Sequence, residues 1–312
     1  MRLVTFRYEG TLRTGAVVGN QVIDLHRACR ALLESKGKLR ARQIADAYIP
    51  DGDMAGFLQG GAESLALAGE AIAFALDGGE SSTKLQFQLD EVVLAAPVQN
   101  PSKIICVGHN YLDHILETGR EVPKFPQIFA KYSNTLNGPY DDVLLDPVGE
   151  LVDYEAELGF VMGSRARRVS RDEALQYVAG YTVANDVSYR DLQRRTLQWL
   201  QGKTVEGSAP MGPCILTSDE LADPSGSGLE VKLTVNGEVR QHGNTKNLVF
   251  TVPILVEYLS SIMTLEPGDI VLTGTCGGVG DKMNPPVYLK DGDVVKVEIS
   301  HIGYIENTFR KP

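Results

Sequence analysis

The 312-residue sequence has only four cysteines, five histidines and one tryptophan. The cysteines (Cys29, Cys106, Cys214 and Cys276) are scattered, and no two form a C-x-x-C pair. That spacing argues against both a disulfide framework and a zinc site. No stretch approaches the ~20 consecutive apolar residues that a membrane-crossing helix needs. A basic excess is missing too. The 30 Lys and Arg face 40 Asp and Glu, giving a formal net charge of −10, so no nucleic-acid or anionic-membrane partner is expected. The opening Met1-Arg2-Leu3-Val4-Thr5-Phe6-Arg7 is too charged for a secretory signal, and the cytoplasm is the expected compartment. With 22% charged and 43% hydrophobic residues, the chain has ordinary globular composition and room for one large or two ordinary domains.

What is present falls into two parts. Leu3-Val4-Thr5-Phe6, Ala16-Val17-Val18 and Val22-Ile23-Asp24-Leu25 are separated by Glu9-Gly10 and Gly19-Asn20, which predicts a small β-meander. Helical spacing follows over about 27–77, then a Gly78-Gly79-Glu80-Ser81-Ser82 loop and a strand over 85–89. Residues 1–98 are taken as an accessory N-terminal domain and 99–312 as the catalytic one. In the second part, strands are expected over 103–108, 127–131, 151–162 and 180–188. A capping box, Ser170 with Glu173, predicts a short helix over 171–177. A hairpin is expected at Asn236-Gly237, a helix over 252–263, and a hairpin turn at Lys290-Asp291-Gly292-Asp293.

The stretch richest in chemistry is Leu151-Val152-Asp153-Tyr154-Glu155-Ala156-Glu157-Leu158-Gly159-Phe160-Val161-Met162. As a strand it puts Asp153, Glu155 and Glu157 on one side and apolar residues on the other. The Glu155 and Glu157 carboxylates would lie roughly 7 Å apart at ~3.3 Å rise per residue. Converging carboxylates repel unless a cation lies between them, and Mg²⁺ or Mn²⁺ would serve. An ordinary half-buried antiparallel strand would show the same pattern. Asp186, ending the next strand, is a third candidate oxygen ligand.

Four other features bear on chemistry. His114 and Glu117 stand at i and i+3 of a short predicted helix. A carboxylate-held imidazole suits a general base, and a surface ion pair has the same spacing. Arg190 and Gln193 share one face of the segment after Asp186. Trp199 reads as core or rim packing. The loop Gly274-Thr275-Cys276-Gly277-Gly278-Val279-Gly280 lacks the P-loop ending and the Rossmann context, so it reads as backbone that approaches a ligand closely.

Five segments then carry a resemblance: Gly108-His109-Asn110-Tyr111-Leu112-Asp113-His114, Asp153-Tyr154-Glu155-Ala156-Glu157-Leu158, Asn185-Asp186-Val187-Ser188-Tyr189-Arg190-Asp191-Leu192-Gln193, Val235-Asn236-Gly237-Glu238-Val239, and residues 263–275. In this order the chain resembles the fumarylacetoacetate hydrolase superfamily, in its fumarylacetoacetate hydrolase domain-containing branch. The resemblance implies an α+β fold, with a mixed β-roll as C-terminal domain behind a small N-terminal α+β domain, assembled as a homodimer. It implies Mg²⁺ or Mn²⁺ held by Glu155, Glu157 and Asp186, and a small 2-oxo or β-diketo acid as substrate. His114, supported by Glu117, would activate water, under a lid formed by residues 112–122. Arg190, Gln193 and Lys203 match positions that contact substrate oxygens, and Thr275 one that binds a substrate carboxylate.

Two positions depart from many relatives. Gly202-Lys203-Thr204-Val205-Glu206 stands where Gly-Lys-x-Phe-Asp is common, and Thr275-Cys276 where Thr-Pro is common, so the pocket wall differs while Lys203 and Thr275 are kept. The leading expectation is a hydrolase that cuts the C–C bond of an acylpyruvate-like acid. The alternatives are an oxaloacetate decarboxylase or a dienoate isomerase on the same metal, and then a non-catalytic binding protein. Cys276 is expected to be a buried, inert thiol.

Overall fold

The computed structural model describes residues 1–77 and 85–312. The loop expected at Gly78-Gly79-Glu80-Ser81-Ser82 lies outside the described residues. The meander forms as its turn signals dictate. Arg2–Tyr8, Thr11–Val18 and Gln21–Asp24 pair antiparallel, and Glu9 and Gly10 take the positive φ angles of a tight hairpin turn (49° and 76°). Asp24 ends the third strand and caps the first helix, accepting a 3.0 Å bond from the Arg27 amide. The helices Leu25–Ser35, Ala41–Tyr48, Met54–Gln59 and Gly61–Leu76 follow.

These N-terminal strands do not form a separate sheet. Arg2–Tyr8 pairs with Ala209–Thr217. From there one sheet continues through Val178–Asn185, Ala156–Met162, Ile270–Thr275 and Ile104–Gly108 to Gln127–Lys131. It is mixed, because Ile270–Thr275 and Ile104–Gly108 run parallel. A second sheet has the order Glu238–Asn244, Glu230–Val235, Val294–Ile299, Gly303–Arg310, Val143–Leu144. Its first hairpin turns on Asn236 (φ 51°) and Gly237 (φ 82°), as its Asn-Gly pair predicts.

The acidic strand differs from expectation in two ways. Its apolar residues are buried on both faces. Ala156, Leu158, Phe160 and Met162 enter one core, shared with Val231, Leu233 and Val297 of the second sheet, while Val161 enters the other, shared with the N-terminal helices. It is therefore not the half-buried strand that alternation allows. Nor is it continuous: Val152–Asp153 and Ala156–Met162 are separate strands. The break has a local cause. The Asp153 carboxylate takes the Tyr154 amide (2.9 Å) and the Asn185 side chain takes the Glu155 amide (2.9 Å), so side chains replace the ladder there.

Three smaller expectations also change. Residues 171–177 yield only a 3-10 turn, Ala174–Tyr177, because Ser170 Oγ donates to the Glu173 carboxylate (2.8 Å) and accepts from no capping amide. The turn at 290–293 is real, with Asp293 accepting from the Lys290 amide at 2.9 Å, but no strand precedes it and it closes no hairpin. The strand Gly303–Arg310 was not anticipated. Its inward row, Ile305, Asn307 and Phe309, is broken in sequence by an asparagine that is buried and donates to the carbonyls of Gly138 (3.1 Å) and Asp141 (2.8 Å).

Candidate active site and metal centre

Two strand ends and a strand break bring the carboxylates together. Asp186 follows the strand Val178–Asn185, Glu157 lies at the start of Ala156–Met162, and Glu155 occupies the break. The Asp186 amide donates to the Glu155 carbonyl at 2.9 Å, which fixes the two segments to each other. One carboxylate oxygen from each of Glu155, Glu157 and Asp186 lies within 4.8 Å of the others, and all three residues are buried. Asp153 does not join them. Its carboxylate turns to Arg190 and to the amides of Gly280 (2.9 Å) and Asp281 (3.1 Å).

Charge shows what the triad fits. Four buried carboxylates (Asp153, Glu155, Glu157 and Asp186) face three buried cations (Lys131, Arg190 and Lys203). Lys203 Nζ bridges Glu155 (2.6 Å) and Asp186 (2.7 Å), and Arg190 Nη2 reaches Glu155 at 2.8 Å. Burial pushes the Glu155 carboxyl up, but Lys203 and then Arg190 outweigh it and hold the group below the usual carboxylate range. Glu157 goes the other way. Burial, then Asp186, then Glu155 raise it well above that range, and its hydrogen bond comes from the Gly274 amide at 2.7 Å. Lys131 Nζ is 2.9 Å from Asp186 Oδ1, but outside hydrogen-bonding direction, and that oxygen has no hydrogen-bond partner. An all-oxygen donor set with an unpartnered buried oxygen and one excess negative charge fits a hard divalent cation.

A cavity of about 480 Å³ opens over the triad. Glu155, Glu157, Arg190, Gln193, Lys203 and Thr275 line it, and so does His114. Of the residues expected to bind metal or substrate or to act in catalysis, all but Glu117 and Asp186 are on this wall. Glu117 is bonded to His114 and Asp186 to Lys203. Cys276, Val205 and Glu206, expected to alter the wall, are not on it. His114 lies on the helix Leu112–Glu117 with its Nδ1 2.9 Å from Glu117 Oε1. It is 8% exposed, which sets aside the surface-pair reading. Arg190 Nη1 donates to Gln193 Oε1 at 3.1 Å. Trp199 stands at the wall, edge-on to His109 and Phe129. Phe129 in turn lies under Lys203, 5.0 Å from Nζ to ring centre.

The glycine loop has a use not read from sequence. Its amides bind the chain's own acids: Gly274 holds Glu157, Gly277 holds Asp113 (3.1 Å), Gly278 holds Glu117 (2.8 Å) and Gly280 holds Asp153. One loop thus anchors a triad carboxylate, the holder of Arg190 and the helix that carries His114. Sequence reading also missed Gln241. Its Oε1 accepts from the Ala156 amide (2.9 Å), and its Nε2 donates to Thr275 Oγ1 (2.8 Å) and to the Cys276 carbonyl (2.8 Å). Nothing in the sequence near Gln241 signals this, since all three partners are remote.

The family model for the fumarylacetoacetate (FAA) hydrolase C-terminal region matches residues 103–310. The chain belongs to the fumarylacetoacetate hydrolase family. Within it, the chain is 44% identical over 256 residues to a mitochondrial oxaloacetate tautomerase of Homo sapiens, covering 81% of this chain and 78% of that one. Among solved structures, the fumarylacetoacetate hydrolase of Exiguobacterium antarcticum superposes with a TM-score of 0.80 at 32% identity, covering 100% of both chains. The maleylpyruvate hydrolase of Sphingobium sp. SYK-6, in complex with manganese(II) ion and pyruvate, gives 0.73 at 28% identity, covering 100% of this chain and 99% of that one. The α+β architecture and the divalent metal expected from sequence agree with these neighbours, and the chain is an enzyme of the superfamily. Among the described residues no helix is long and apolar enough to cross a membrane. The human relative is named mitochondrial, a compartment other than the cytoplasm expected from sequence.

Proposed function

We propose that this enzyme interconverts the enol and keto forms of oxaloacetate. The observation that carries this reading is the similarity to an oxaloacetate tautomerase over four fifths of the chain. Glu155, Glu157 and Asp186 would hold the divalent metal, which would supply Lewis-acid polarisation of a 2-oxo group. Arg190 and Lys203 add fixed positive charge beside the same oxygens. Gln193 sets the direction of the Arg190 guanidinium, and Thr275, held by Gln241, presents a hydroxyl to the substrate carboxylate. His114, backed by Glu117, moves a proton at carbon 3. The helix that carries it stands at the cavity wall and would exclude water on closing over bound substrate.

Hydrolysis, decarboxylation and tautomerisation all pass through an enolate and differ in what leaves or arrives at carbon 3. That common need is why the site residues alone point equally to the C–C hydrolase expected first. The hydrolase reading keeps one specific support, the likeness to a maleylpyruvate hydrolase with manganese and pyruvate. Assembly as a homodimer, and the division into an accessory segment to residue 98 and a catalytic remainder, belong to this proposal as well.

The test is the decay of enol absorbance after dilution of enol-oxaloacetate into buffer with Mg²⁺ or Mn²⁺. The expected result is acceleration by the enzyme that EDTA abolishes and that releases no CO₂. Acceleration no greater than that of the metal alone would defeat the reading. Release of pyruvate and a free acid from an acylpyruvate would move the assignment to hydrolase.

A further inference from the structure

One polar group on the cavity wall has no part in the account above. His109 follows the strand Ile104–Gly108 and lines the cavity. Its backbone is left-handed, with φ of 50°, a conformation uncommon for a residue with a side chain and concentrated at functional sites. That turn aims the ring inward. The ring lies nearly parallel to His114 (11° between planes, 5.8 Å between centres). Trp199 closes on it edge-first at 5.4 Å, in space that Gly108 leaves open, since a Cβ there would press on the indole.

The two imidazoles are held differently. His114 has a carboxylate behind it, an arrangement suited to carrying a proton. His109 has an amide, with Nδ1 3.0 Å from Gln127 Oε1. With that oxygen accepting, Nδ1 carries the hydrogen and Nε2 keeps a free lone pair. Burial lowers the His109 pKa first of all. Gln127 and Glu155 oppose this, while Arg120 and His114 add to it. One imidazole backed by a carboxylate and one by an amide, facing a single cavity, are differently placed to give and to take a proton.

We propose that His109 is a second acid–base residue of this cavity, working opposite His114. The inference rests on the tautomerase reading and deepens it. In the enol-to-keto direction, His109 Nε2 takes the enol hydroxyl proton and the O–H electron pair becomes the second C2–O bond. The C2–C3 π pair then takes a proton from the His114 imidazolium at carbon 3. One proton leaves and one arrives, and solvent returns the proton from His109 to His114. The keto-to-enol direction is the reverse.

The test uses the metal-loaded enzyme and two variants, His109→Asn, which tolerates the left-handed backbone, and His109→Gln. Mn²⁺ affinity serves as the folding control and should not change. Two readouts are followed, ketonisation of enol-oxaloacetate and deuterium exchange into carbon 3 of pyruvate in D₂O. The expected result is a loss of roughly 10²-fold in kcat with little change in KM. The low-pH limb of the rate profile should flatten, and added imidazole should restore part of the rate. An unchanged rate would overturn the proposal. So would a slower rate with an unaltered pH profile and no imidazole rescue, which assigns His109 to packing alone. If the wild type exchanges deuterium in a His109-dependent way but does not act on oxaloacetate, the substrate reading falls and this inference stands.

Discussion

One oxygen of Asp153, Oδ2, meets Arg190 twice: it accepts a hydrogen bond from Nε at 2.9 Å and lies 2.8 Å from Nη2 in an ion pair. Asp153 thereby fixes the plane of the guanidinium and leaves its far edge to Gln193 and the cavity. Both residues are buried, and removing Asp153 leaves Arg190 only Glu155, already shared with Lys203, as counter-charge. Asp153→Ala should cost about 3–5 kcal/mol, read as a lower denaturation midpoint in urea. Asp153→Asn should cost less and raise KM more than it lowers kcat, because Arg190 loses direction before it loses its place.

Glu157 is the triad member whose proton competes with the metal. Its carboxyl is raised by burial, Asp186 and Glu155, and only the ionised form binds a cation. Metal affinity should therefore fall as pH falls, beginning above the ~4.3 of an ordinary Glu. Binding should release a proton, seen by calorimetry in buffers of different ionisation enthalpy. Glu157→Gln should weaken Mn²⁺ binding by more than the ~10–100-fold typical of residues behind the ligands. A pH-independent affinity would show that Glu157 is not a ligand.

Asp113 and Glu117 clasp the helix Leu112–Glu117 to the amides of Gly277 and Gly278. Asp113→Ala removes one clasp while leaving His114 and its carboxylate in place. A hydrogen bond of this partly exposed kind contributes about 1 kcal/mol, so opening should become ~5-fold more frequent. Hydrogen exchange at Gly277 and Gly278 should quicken, and KM should rise by a similar factor.

All four cysteines are buried. Burial pushes the Cys276 thiol up to about 12 and Cys29 up to about 11, so almost no thiolate exists at neutral pH. Iodoacetamide at pH 8 should label none of them in the folded protein and all four in urea, counted by mass spectrometry. Labelling of native Cys276 would contradict its burial beside Gly243.

The triad was legible because its ligands lie on or beside strands whose alternation is plain: Glu155 and Glu157 two apart, Asp186 at a strand end. Asp153 was not. Period 2 puts it beside the other two, and only the broken ladder at Tyr154 and Glu155 turns it to Arg190. Gln241 meets Ala156 across 85 residues and Gly278 meets Glu117 across 161, contacts that no local pattern encodes. Lys131 read as the end of a strand, and only the fold brings it to Asp186. The reaction was harder than the site, because one enolate-stabilising centre serves several chemistries.

The pairing of Arg2–Tyr8 with Ala209–Thr217 sets an order on biosynthesis. The ribosome releases the first strand long before its partner exists. At ~5–20 residues per second, about 10–40 s pass before that partner emerges. Val93–Ala95 can pair Thr5–Arg7 early in that interval, but the Arg2–Leu3 end of the same edge stays open to other chains, a period in which a chaperone holding the N-terminal third should raise the yield of folded enzyme.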